Sequence, residues 1–155
     1  RAVTITGEGI KTPQNFWVRI GTPLGFLIEQ CGGTRGLVTK IIAGGPMMGI
    51  TQYTTDIPVI KTMSGIVLLQ KHQTRHAPIR PCIRCGRCIE ACPQDLMPCT
   101  ITNAAEKELF NLAEEYHIID CIECGSCAYV CPAKRPLVHL VKYGKRKLRM
   151  KYERT

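Results

Sequence analysis

Eight of the ten cysteines in this 155-residue chain fall in two short runs that repeat each other, and no other feature restricts its folding as much. Cys82-Ile-Arg-Cys-Gly-Arg-Cys-Ile-Glu-Ala-Cys-Pro93 matches Cys121-Ile-Glu-Cys-Gly-Ser-Cys-Ala-Tyr-Val-Cys-Pro132 at seven of twelve positions, at an offset of 39. Both read C-x2-C-x2-C-x3-C-P. Residues 1–81 contain one cysteine, Cys31, against nine in residues 82–131. A disulfide scaffold would usually be shorter and would spread its cysteines through its loops. Thiols this close along the chain are also awkward disulfide partners. Zinc sites pair their cysteines as C-x2-4-C, and a third cysteine two residues on, twice over, has no tetrahedral rationale. The pattern calls for a larger metal centre.

The spacing is that of bacterial chains that bind two [4Fe–4S] clusters. Three cysteines with two residues between them let a tight loop wrap one cubane, each thiolate reaching a different iron. Gly86 and Gly125 leave room for backbone beside the metal, where amide N–H groups can donate to sulfur. The fourth cysteine lies further on, before a proline that turns the chain away, and in this motif it serves the other cluster. The expected ligand sets are therefore Cys82, Cys85, Cys88 and Cys131 for one cluster, and Cys121, Cys124, Cys127 and Cys92 for the second. Crossed fourth ligands bring two clusters close together, an arrangement suited to passing electrons. The segment between Cys92 and Cys121 is longer than a minimal ferredoxin connection and reads as a helix, Asn103 to Tyr116. Its apolar face is Ala105, Leu109, Leu112, Ala113 and Tyr116, with Asn103 and Glu106 as a capping pair. A last short helix is expected to begin at Pro136 and stop near Gly144.

The N-terminal part has a different character. Val3 and Ile5 alternate with Thr4 and Thr6, as on a half-buried strand, and Phe16 to Ile20 makes a second run. Thr22 is placed to cap, and Pro23 to open, a helix from Leu24 to Gln30, stopped by Gly32 and Gly33. Leu37 to Ala43 and Gly65 to Gln70 are further strands. The β-β-α-β-β order suggests a small β-grasp-like sheet with one helix across it. The overall class is α+β. Residues 1–70 form the sheet domain, 71–81 a linker, 82–143 a mostly helical dicluster domain and 144–155 a basic tail. The chain opens on Arg1 and goes straight into strand-like sequence, which reads as a piece of a longer protein. No apolar run approaches the roughly 18 residues of a membrane span.

Charge is as uneven as cysteine. The formal net charge is +9, yet residues 133–155 hold nine Lys/Arg against one Glu, so the basicity belongs to the tail. A nucleic-acid-binding protein with structural clusters rests on that tail alone, and nucleic acid is not the expected partner. The bland reading is a solvated, partly disordered end. Cys31 and Cys99 have no partner at ligand spacing and are expected to be buried free thiols. His72, His76, His117 and His139 form no spaced set. Gly44-Gly-Pro-Met-Met-Gly49 lacks the Lys-Ser/Thr of a phosphate loop and is read as a plain turn. No Ser/His/Asp or paired-carboxylate set stands out, so no catalytic residue is expected.

Tracts beyond the cysteines carry a resemblance: Val3-Thr-Ile-Thr-Gly7, Ile20-Gly-Thr-Pro23, Gly44-Gly-Pro-Met-Met-Gly49, Leu96-Met-Pro98, Asp120-Cys-Ile-Glu-Cys-Gly-Ser-Cys127 and Cys131-Pro-Ala-Lys-Arg-Pro-Leu137. With them the chain resembles the C subunit of Rnf-type electron-transport complexes over almost its whole length. The resemblance implies that residues 1–70 are a soluble-ligand-binding β-grasp (SLBB) domain. It implies a membrane-bound, ion-translocating NADH:ferredoxin oxidoreductase as the parent complex, with other subunits of that complex as partners. This subunit would lie peripherally on the cytoplasmic face of the bacterial inner membrane. FMN and NADH would belong to an upstream domain of the same polypeptide. A cluster subunit of a fumarate-reductase or heterodisulfide-reductase type enzyme is the rival, and the Gly-Gly-Pro-Met-Met-Gly tract argues against it.

Overall fold

The computed structural model describes residues 1–74 and 78–153; His76, expected to be unremarkable, and Arg154 of the basic tail lie outside the described residues. The chain divides after residue 76 into two compact units. Together they make an α+β protein.

In the first unit the strands are β1 (Ala2–Thr6), β2 (Gln14–Trp17), β3 (Val38–Ala43), β4 (Ile50–Gln52) and β5 (Gly65–Gln70), with one helix, α1 (Leu24–Gln30). The sheet order is β2-β1-β5-β3-β4. The first and last strands run parallel side by side, and the other pairs are antiparallel. This is the β-grasp plan, with α1 across the sheet. Val3 and Ile5 of β1 and Ile66 and Leu68 of β5 point to the same side and meet Leu24, Leu27 and Ile28 of α1 in a closed core. Alternation along the strands and the three-to-four spacing along the helix produce that meeting. Cys31 follows on the same helical stripe, fully buried, and burial pushes its thiol pKa up. It is the free core thiol that the sequence leads one to expect.

Several local expectations change. Pro23, in extended conformation, occupies the position before α1, and no side chain caps the helix. Thr22 instead donates to the Arg19 carbonyl at 2.9 Å. Strand β2 ends at Trp17, short of Ile20. The Gly44–Gly49 tract is a turn, and it joins β3 to a fifth strand, β4, that periodicity does not reveal because only three residues pair. Glycine is required there: a Cβ on Gly49 would sit 2.4 Å from Ile42 Cγ2 and 2.5 Å from the Gly45 carbonyl oxygen. Residues Lys71–Thr74, expected in a linker, form a 3-10 turn tied to β3 by the Thr39–Thr74 hydroxyl pair at 3.0 Å.

The second unit is built on the repeat, which extends well past the cysteine runs. Helices α2 (Arg87–Glu90) and α5 (Ser126–Val130) follow the two cysteine loops. Helices α3 (Pro98–Glu106) and α6 (Leu137–Tyr152) begin at the offset that separates the runs. Left-handed residues repeat at that offset too: Arg84 and Glu123 (both φ 57°), Gly86 and Gly125 (77° and 87°), Asp95 and Lys134 (50° and 52°). Helices α3 and α6 meet at Ala105 and Gly144, which are themselves repeat equivalents. A Cβ on Gly144 would lie 3.2 Å from Ala105 Cβ and 2.7 Å from Ile118 Cδ1.

The expected helix Asn103–Tyr116 is two helices, α3 and α4 (Phe110–Glu115), separated by left-handed Glu108. The stripe that suggests continuity is not a buried face: Ala105 and Ala113 are enclosed, but Leu109 is 51% exposed. Asn103 and Glu106 do not cap each other. Both accept hydrogen bonds from Arg135, a long-range partner that replaces the local one. The expected stop at Gly144 is also absent, for α6 continues through it to Tyr152. Leu137, Val141, Gly144 and Leu148 form its buried stripe, so the basic segment is an amphipathic helix and not a solvated tail. Tyr143 OH donates to Glu108 at 2.7 Å and Lys151 Nζ to Asn111 at 2.9 Å, tying its outer face to α4 and the residues before it.

Candidate metal centres

Each cysteine loop owes its shape to a left-handed residue between its first and second cysteines and a left-handed glycine just after the second. Backbone reversed in this way turns successive N–H groups inward, a concavity suited to negative charge. One such donor is in place: the Glu123 N–H reaches Cys121 Sγ at 3.4 Å. Gly86 and Gly125 then start α2 and α5. These helices carry the third cysteine of each run and lead directly to the fourth.

The eight cysteines sort onto two cavities. One, of about 450 Å3, is lined by Cys82, Cys85 and Cys88 of the first run and by Cys131 of the second. The other is lined by Cys121, Cys124 and Cys127 of the second run and by Cys92 of the first. Each run thus lends its fourth cysteine to the cavity of the other. The second cavity is tight, about 20 Å3, where one water alone needs roughly 10–15 Å3. Among the described residues no three His, Cys, Asp or Glu converge as ligands of one metal ion. Four thiols spread around a cavity suit a cluster, in which each iron takes one, and do not suit a lone zinc. The donor chemistry fits an iron–sulfur centre at both sites.

Thiol environments differ around the cavities. Burial, reinforced by Cys99 alongside, pushes Cys88 up to about 11. Burial, followed by the charge of Cys121, pushes Cys127 up to about 11. Cys121 is raised by burial, although the Glu123 N–H and the Lys145 charge favour its thiolate. Cys124 is lowered, chiefly by the Ser126 hydroxyl 3.4 Å away.

Three residues that sequence reasoning does not place at the cavities belong here. Cys99 is half-buried and lines the first cavity beside Cys88, where a buried free thiol is the expectation. Extending the repeat to α3 and α6 would reveal it, because its counterpart Val138 lines the second cavity. Arg135, 8% exposed, also lines the first cavity while donating to Asn103 at 2.6 Å and pairing with Glu106. Lys145, 9% exposed, donates to the Cys121 carbonyl and sits 3.2 Å from Glu123. In sequence Lys145 looks like a member of a basic tail.

The described histidines stay away from both cavities. His72 pairs with Glu8 at 2.8 Å, His117 lies 3.5 Å from Asp120, and His139 is exposed. In the first unit a broad open depression brings Glu8, Lys11 and Arg35 together, a grouping that the Gly-rich turns do not suggest. No described helix is long and apolar enough to cross a membrane.

Comparison with known proteins agrees with this division. The SLBB domain family matches residues 2–51, and the 4Fe-4S dicluster domain family matches residues 77–132. The chain is 47% identical over 148 residues to the C subunit of the Na(+)-translocating ferredoxin:NAD(+) oxidoreductase complex of Acetobacterium woodii, covering 96% of the chain and 33% of that protein. It is 49% identical over 155 residues to the proton-translocating counterpart of Clostridium ljungdahlii, covering 99% of the chain and 34% of the relative. It is 43% identical over 144 residues to the C subunit of the ion-translocating oxidoreductase complex of Methanosarcina acetivorans, covering 93% and 32%. The chain spans about a third of the length of these curated relatives.

Proposed function

Because the chain belongs to the C-subunit family of ion-translocating oxidoreductase complexes, we propose that it carries electrons through two [4Fe–4S] clusters within such a complex. Cys82, Cys85, Cys88 and Cys131 hold one cluster; Cys121, Cys124, Cys127 and Cys92 hold the other. The observation that carries this reading is the grouping of four thiols on each cavity, the fourth drawn from the opposite run. When bound, each cluster accepts and releases one electron. The protein's residues supply the rest. The left-handed loops aim N–H groups at the sulfurs, and the packed pair α3 and α6 holds the two loops at a fixed separation. Arg135 and Lys145 set buried positive charge beside sites that become more negative on metal binding.

The redox partners of the chain follow from the reaction named for its relatives, with electrons passing between ferredoxin and NAD. NADH and a flavin, FMN, would bind in an upstream region of the same polypeptide, for which the greater length of the relatives leaves room. The other partners are further subunits of the membrane complex, with this subunit peripheral on its cytoplasmic face. The SLBB unit then positions the clusters beside the flavin.

Anaerobic purification tests the proposal. The chain should carry about eight irons and about eight sulfides, the count for two clusters, with Cys31→Ala and Cys99→Ala unchanged in iron content. A chemical reductant should bleach its visible absorption and an acceptor dye should restore it, while NADH alone should do nothing. An iron count near one or two, or NADH oxidation by residues 1–155 alone, would contradict the reading.

A further inference from the structure

The repeat makes the two cavities equivalent in backbone, so their differences in lining stand out. Arg84 and Glu123 occupy the same left-handed position in the two loops, with opposite charge. The charged residues lining the first cavity are Arg84, Lys107 and Arg135, all cations; the second is lined by one charged residue, the anion Glu123. The ion pairs behind them have opposite polarity. Arg135 faces the first cavity with its carboxylate partner Glu106 on α3, whereas Glu123 faces the second with its partner Lys145 on α6. Counting these partners and Lys142, 3.8 Å from Glu123, leaves about two net positive charges at the first site and about one at the second.

Access to water differs in the same direction. Cys82 and Cys85 are exposed, whereas no cysteine of the second set is exposed and Cys127 is buried. Cys99 adds a polarizable thiol to the first cavity where the second has the methyls of Val138. A cluster becomes more negative on reduction. Nearby cations, solvent and S–H donors stabilise that state and raise the potential; an anion and a dry apolar wall lower it.

From this we infer that the two cluster sites are redox-inequivalent, the cluster held by Cys82, Cys85, Cys88 and Cys131 having the higher reduction potential. Electrons arriving singly settle there, and the second cluster is the lower-potential member of the pair. The inference rests on the proposed cluster binding and deepens it.

An anaerobic potentiometric titration of the iron-loaded full chain, followed by electron paramagnetic resonance, tests it. The wild-type chain should be reduced in two one-electron steps. Arg84→Gln should reduce the occupancy of the upper step about fivefold at a fixed potential and leave the lower step in place. Glu123→Gln should shift the lower step in the opposite sense and spare the upper one. Cys99→Val, which gives the first cavity the lining of the second, should again lower the upper step alone. Iron content measured on the same samples separates the two claims. About eight irons with one merged step, or with Arg84→Gln acting on the lower step, overturns the inference and leaves cluster binding intact. A chain that binds no iron overturns the proposed function and the inference together.

Discussion

Within each cysteine loop the thiols do not share one environment, and their chemistry in the metal-free chain should separate accordingly. Cys88 and Cys127 are held up to about 11 by burial, so they stay protonated at neutral pH; Cys124 is lowered by hydrogen bonds from Ser126. The thiolate is the nucleophile in alkylation. Iodoacetamide added to the metal-free chain, from neutral to mildly alkaline pH, should therefore modify Cys124 ahead of Cys88 and Cys127. Ser126→Ala should slow Cys124, because the group that stabilises its thiolate is gone. Mass spectrometry of tryptic peptides reads the order, and equal rates at Cys124 and Cys127 would contradict it. The eight cysteines that line the two cavities are legible in sequence because they sit at fixed, short spacings. Cys99, Arg135 and Lys145 are not, because each reaches its cavity from a segment whose position depends on long-range packing.

At the scale of elements, the repeat is a backbone fact as well as a sequence one. Left-handed residues at Arg84, Glu123, Asp95 and Lys134 recur at the same offset although the paired side chains share nothing. A comparison of residue types across the two runs sees identity only at the cysteines, glycine, one isoleucine and proline. Helix ends are the poorest expectations. Asn103 and Glu106 make a plausible cap until Arg135 offers both a better partner, and Gly144 looks like a stop because glycine often ends helices. Here Gly144 permits α3 and α6 to approach at Ala105. Replacing Gly144 with Val should overpack that crossing and cost about 1–3 kcal/mol. Chemical denaturation of the iron-loaded chain should show a lower midpoint for this variant than for Arg146→Ala, a change on the exposed side of the same helix. An unchanged midpoint would mean that the crossing does not bear on stability.

At the scale of the whole molecule, the chain divides after residue 76 into two units of different architecture. Before it the chain buries apolar side chains between one sheet and one helix; after it, short helices surround two thiol-lined cavities. The sheet is legible because its strands alternate, and β4 escapes notice because three residues are too few for a period to emerge. The basic C-terminal segment departs furthest from expectation. Its charge suggests a free tail, while the stripe Leu137, Val141, Gly144 and Leu148 within it builds the longest helix described in the second unit.

That each cluster takes its fourth thiolate from the opposite run is tested most directly in a chain that retains one cluster. With Cys82, Cys85 and Cys88 all replaced by Ser, about four irons should remain, held by Cys121, Cys124, Cys127 and Cys92. In that background Cys92→Ser should alter the electron paramagnetic resonance spectrum of the reduced cluster or abolish iron binding, whereas Cys131→Ser should leave both unchanged. A spectrum that responds to Cys131→Ser and ignores Cys92→Ser would mean that each run keeps its own fourth cysteine, and the crossed arrangement would be wrong.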